Sequence, residues 1–224
     1  MRIILYKIIS HFQWLCMILS FIFSILFMKN FKDHLYMNRM LLYSTVGALL
    51  AIMIIFNRYF PLYGRVTVGY IESVLLIFHF VFLSLFINNV IGTKKRSRII
   101  VVLFIVFFIS ILFCILTSNI AKPQSNAFAF SNLGLVIFCL LYYLQLFDSV
   151  PTVNLIKEPS FWIITGVFFC MCATIPVLAI RHYMLEKISA SLYKSIEIVI
   201  PFSYGVMHLF FIKAYLCTAK LSKV

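Results

Sequence analysis

Seven long apolar runs, cut apart by charges, prolines and asparagines, constrain this chain more than any other feature. They cover Ser10–Met28, Met40–Phe56, Val66–Ile91, Ile99–Thr117, Phe128–Phe147, Phe161–Ile180 and Ile196–Tyr215. Each holds roughly 17–26 residues, and about 20 apolar residues suffice for a helix to cross a bilayer. Lipid offers the backbone no hydrogen bonds, so such a run must satisfy its own as a helix. The pattern predicts an all-α integral membrane protein, a bundle of seven transmembrane helices forming one domain over residues 1–224. Composition agrees that lipid is the main solvent. The chain is 64% hydrophobic and 11% charged, against about 45–50% and about 25% for soluble domains.

The connections are short and leave no room for a soluble domain. No internal repeat is visible, which weighs against an inverted-repeat transporter. Met1 to Met28 begins like a signal peptide, but no small-residue cleavage site follows, so it is expected to stay as the first helix. A net charge of +13 would suggest nucleic acid in a soluble protein. Here Lys and Arg flank the apolar runs, where they anchor helices against headgroups and set topology. No nucleic-acid partner is therefore expected. The six cysteines lie almost entirely within apolar runs, and none has zinc-ligand spacing. Neither a metal nor another cofactor is expected.

Orientation follows from the basic residues, which concentrate on the cytoplasmic side. On seven crossings, eleven of the 19 Lys and Arg fall on one side and eight on the other. The dense loop Gly92–Arg98, with Lys94, Lys95, Arg96 and Arg98, decides the matter locally. The N-terminus is expected outside and the C-terminus in the cytoplasm, in a bacterial inner membrane. These four basic residues are the expected contact for a cytoplasmic protein partner or for lipid.

Ionisable groups inside the apolar runs are costly and mark candidate sites. Glu72 and His79 are seven residues apart and share a helical face. Glu197 and His208, eleven apart, share another, together with Pro201 and Tyr204. At 1.5 Å per residue the histidines lie about 10–17 Å below their glutamates. One reading is an outward polar cavity between the third and seventh helices, with Glu72, His79, Glu197, Tyr204 and His208 as ligand-binding residues. The other is structural. Glu72 would pair with Arg65 or Arg58, Glu197 would sit by Lys194 and cap its helix, and the histidines would bond within the bundle.

Local signals add detail. Asn57–Arg65 interleaves aromatics with arginines, as an interface belt or a lid over a pocket would. Arg181–Ser195 suits a short interfacial helix or an extension of a flanking one. Pro159 suits a helix start, Ser160 its cap and Trp162 the interface. Pro176 and Pro201 are expected to kink their helices.

Seven helices with the N-terminus outside is the arrangement of rhodopsins and G-protein-coupled receptors, but the residues do not match. The last run has no central Lys, and it carries Ile200-Pro201-Phe202-Ser203-Tyr204 in place of Asn-Pro-x-x-Tyr. Ser131-Asn132-Leu133-Gly134-Leu135-Val136-Ile137-Phe138-Cys139-Leu140-Leu141-Tyr142-Tyr143, followed by Glu158-Pro159-Ser160-Phe161-Trp162-Ile163-Ile164-Thr165-Gly166-Val167-Phe168-Phe169, resembles uncharacterised small seven-helix membrane proteins of Bacteroidota. That resemblance implies a sensor-like signalling module, often encoded near sensor histidine kinases, and brings no catalytic residues.

No G-x-S-x-G, H-E-x-x-H or Gly-rich phosphate loop occurs. Four of the six acidic residues, Asp33, Asp148, Glu158 and Glu186, fall in connections. An enzyme is not expected. A sensor or signalling module with an outward pocket and a cytoplasmic partner, a histidine kinase among the candidates, fits best. A transporter or an oligomeric pore, such as a defence effector, stays open, and with it a homo-oligomer.

Overall fold

The computed structural model describes residues 2–27, 40, 42–47, 49, 65–91, 93–118, 125–148, 155–187 and 190–221. Its helices are α1 (Arg2–Leu26), α2 (seen as residues 42–47), α3 (Arg65–Val90), α4 (Lys94–Thr117), α5 (Ser125–Asp148), α6 (Pro159–Lys187), α7 (Ala190–Glu197) and α8 (Val199–Leu221). The described residues contain no strand. Five stretches are long and apolar enough to cross a membrane: Gly69–Val90, Lys94–Thr117, Ser125–Asp148, Pro159–Arg181 and Leu192–Thr218. In α1 the apolar stretch is shorter, His11–Leu26. The chain is thus an all-α, multi-pass membrane bundle. Most of the second apolar run, Met40–Phe56, lies outside the described residues.

Three local expectations are corrected. The basic stretch Lys94–Arg98 is not a loop but the first turns of α4. Lys and Arg are good helix formers, and nothing after position 93 breaks the helix. Cations at a helix N-terminus are opposed by its dipole. A partner on a neighbouring element offsets this for Arg96, which pairs with Asp148 at the end of α5, and Ser97 Oγ ties the same turn to α3 by donating to Asn88 Oδ1 at 2.9 Å. Second, the last apolar run, expected as one helix kinked at Pro201, is divided by a single turn residue within the span Leu192–Thr218. It breaks at Ile198, between α7 and α8. Pro201 has no N–H for the Glu197 carbonyl, and its ring clashes there. It falls instead in the first turn of α8, where proline is tolerated. Third, Ser160 lies inside α6, which starts at Pro159, after Glu158.

At its other end α6 runs past Ile180 to Lys187, and α7 follows as a separate short helix. Arg181–Ser195 is thus divided between an extension of α6 and a separate short helix. It also follows that Asp148 and Glu186 are helical.

The order of packing is set by α6, which touches α5 on one side and α8 on the other. α1 lies on α8, α3 lies on α5, and α4 leans on α3 and α5. α2 links α1, α3 and α8. Tyr43 stacks on Phe78 and Phe82 of α3 at 5.9 and 5.0 Å and meets Phe211 of α8 at 6.2 Å. Ser44 reaches Ser24 of α1, their hydroxyls 3.0 Å apart. Only 11% of the α4 span is buried, against 50% of the α6 span, so α4 is the least buried of the five described spans.

Small residues let the central helices approach closely, as membrane helix pairs require. A Cβ added at Gly166 would stand 2.7 Å from Cβ of Phe210, and one at Gly205 would stand 2.5 Å from the Phe12 ring. Buried polar side chains answer each other across helices: Asn132 Nδ2 donates to Thr174 Oγ1 at 2.9 Å, and Tyr143 donates to Thr165 at 3.0 Å. The bundle has two distinct ends. Glu72 lies near the start of α3 and Asn88 near its finish, about 24 Å apart along the helix.

Candidate functional site

A cavity of about 320 Å³ lies among α1, α2, α3, α5, α6 and α8, in the half of the bundle away from the basic turn of α4. That volume is at the lower end of ligand sites, about 300–1,000 Å³. Its walls are mainly apolar, with Met17, Leu75, Leu76, Leu178, Ile200 and Met207. Trp14 lines it from α1. Polar groups gather at its two ends.

At the end nearer the start of α3 stand Glu72, Gln13 and Arg181, all half-buried. The Arg181 side chain is already engaged. Its Nη2 donates to Glu197 Oε1 at 2.7 Å and its Nε donates to the Tyr193 hydroxyl at 3.0 Å. Tyr193 in turn donates to the same Glu197 oxygen at 2.7 Å. This three-residue clamp fixes α7 to α6. Among the described residues, Glu72 makes no such hydrogen bond or ion pair.

At the deep end the Tyr43 hydroxyl lies 2.5 Å from His79 Nδ1. The Tyr204 ring meets the His79 ring edge-on at 6.1 Å, and His208 meets Phe211 edge-on at 5.5 Å. Both imidazoles are buried, and among the described residues His79 Nε2 and His208 Nδ1 have no hydrogen-bond partner. An unmade buried hydrogen bond costs about 1–3 kcal/mol. Both atoms belong to residues that line the one cavity. Below them Leu83, Phe211 and Tyr215 are fully buried.

Four of the five candidate ligand residues, Glu72, His79, Tyr204 and His208, line this one cavity. Glu197 does not line it. It stands behind Arg181 as that residue's counter-ion, rather than beside Lys194 as a helix cap. The expected pairing of Glu72 with Arg58, the Arg65 side chain and the aromatic loop before it lie outside the described residues. Three contributors were not anticipated: Arg181, Tyr43 and Trp14. Arg181 was taken as the edge of a connection. The signal against that was the breaker-free continuation Arg181-His182-Tyr183-Met184-Leu185-Glu186-Lys187, which favours helix. Tyr43 is one tyrosine in an apolar run, and nothing in the sequence ties it to His79.

At the opposite end Lys94, Lys95 and Arg98 are exposed, while Arg96 is held by Asp148. Among the described residues no group of three or more His, Cys, Asp or Glu could hold a metal ion. No family model, no curated protein and no solved structure matches the chain.

Proposed function

We propose that this chain is a seven-helix sensor or signalling module of a bacterial inner membrane, with its N-terminus outside and its C-terminus in the cytoplasm. A small ligand enters the cavity from the outer side. Occupancy changes the basic end, where Lys94, Lys95 and Arg98 meet a protein partner or anionic headgroups. A histidine kinase is one partner of the required kind. The observation that carries this reading is the cavity itself, which joins Glu72 to two imidazoles with unpartnered nitrogens. Its orientation rests on the basic turn of α4, which belongs on the cytoplasmic side. A transporter or pore is less favoured, because fully buried apolar and aromatic side chains close the core beneath the histidines.

Gly47 provides a test. It lines the cavity, and a Cβ there would meet nothing within 4 Å among the described residues. Gly47→Phe should therefore fill the cavity while leaving the fold intact. A photo-crosslinker placed at Lys95 in cells should trap a protein partner, and the yield should differ between the wild type and the filled variant. Equal yields in both, or no protein adduct, would count against transmission from cavity to partner.

A further inference from the structure

We propose that the ligand is an organic cation, a protonated amine on an apolar body, whose ammonium pairs with the Glu72 carboxylate. This rests on the ligand-cavity reading above and adds the chemical class. The charges at the polar end lead to it. Three ionisable side chains meet there: Glu72, Arg181 and Glu197. Arg181 is bonded to Glu197 and Tyr193, so that its positive charge is already matched. Glu72 makes no ion pair among the described residues, feels Arg181 only at longer range, and lines the cavity. Among the described residues one negative charge is thus in excess in a half-buried, largely apolar site. Leaving such a charge uncompensated is expensive, and a matching cation stabilises it.

Anionic ligands fit poorly. The charge of Arg181 is already matched by Glu197, and an anion in the cavity would lie against Glu72. A neutral apolar ligand would fill the walls but leave the carboxylate unmatched. Trp14 and Tyr204 also line the cavity, and aromatic rings favour cations over anions. Along α3 the distance from Glu72 to His79 is about 10 Å. The amine would therefore sit at one end of a body about that long, whose far end would lie beside His79 and His208.

Trp14 makes the proposal measurable, because the chain has only two tryptophans. In a Trp162→Phe background, Trp14 alone reports on the cavity. The full chain in lipid nanodiscs is titrated with 4-phenylbutylamine, 4-phenylbutan-1-ol and 4-phenylbutyrate, which share one body and differ in head group. The amine should change Trp14 fluorescence at a concentration at least tenfold lower than the alcohol, and the carboxylate should bind most weakly. Glu72→Asp should keep the preference for the amine, and Glu72→Gln should bring amine and alcohol together. Gly47→Phe should abolish the response, which separates the cavity from partitioning into lipid. If the alcohol or the carboxylate binds as tightly as the amine, the cationic class is wrong, although the cavity still takes ligands. If none of the three gives a response sensitive to Gly47→Phe, the ligand-cavity reading fails with it. Should Glu72→Gln not fold, the head-group series on the parent background decides alone.

Discussion

Arg181 governs the polar end of the cavity. It joins α6 to α7 through Glu197 and Tyr193, and it lines the same end of the cavity as Glu72. Its pair with Glu197 is mostly buried, with side-chain exposures of 22% and 16%. Removing one partner therefore leaves the other under-compensated rather than simply released to water. Arg181→Met should cost about 1–3 kcal/mol of stability, the price of an unsatisfied buried group. The double variant with Glu197→Gln should recover part of that loss, and thermal unfolding of the four proteins in one detergent gives the coupling. Additive losses would show that the pair does not hold α7. The Arg96–Asp148 pair lies at a more exposed position, where such contacts are worth about 0–1 kcal/mol. At this scale the sequence was half legible. Ionisable groups in apolar runs stand out by their cost, so Glu72, His79 and His208 could be picked out. Their partners could not, because the Tyr43–His79 and Arg181–Glu197 contacts depend on how separate helices pack.

The helices were largely visible in advance, since an apolar run bounded by charges has one solution in lipid. Where expectation and structure part, the cause is local chemistry at a run's end. The basic stretch at Lys94–Arg98 joins α4 because its residues favour helix, and Pro201 splits the last run at Ile198. Which helices touch is a different matter. It depends on small residues, whose effect appears only when a neighbour is in place. Gly166 carries the contact between α6 and α8, with Phe210 Cβ against it. Gly166→Leu should lower stability by about 1–3 kcal/mol through overpacking, readable as a fall in the unfolding temperature. Ile109→Leu on the lipid face of α4, where Ile109 is 61% exposed, should change little. Equal effects at the two sites would mean that α6 and α8 are not packed as described.

In the whole molecule, polar chemistry is divided between the two ends of an apolar bundle. One end holds Glu72, Arg181 and the cavity, and the other holds Lys94, Lys95, Arg98 and Asp148. The bundle between them is closed by aromatic packing, including Phe80 on Phe104 at 5.5 Å and Phe104 on Phe108 at 5.6 Å. Rigid packing of this sort favours two discrete arrangements over gradual deformation, which suits a module that transmits occupancy. The central claim is that a cavity open to water on the outer side lies inside this bundle, and α2 offers a direct test. Gly47 faces the cavity, whereas Leu49, two residues on, is 58% exposed on the outside of the bundle. Cysteine is placed at each position in turn, and intact cells are treated with a small, charged, membrane-impermeant thiol reagent. Gly47→Cys should be modified from outside and Leu49→Cys, facing lipid, should not. Equal reactivity at both, or modification of Gly47→Cys only after the membrane is opened, would contradict the outward cavity.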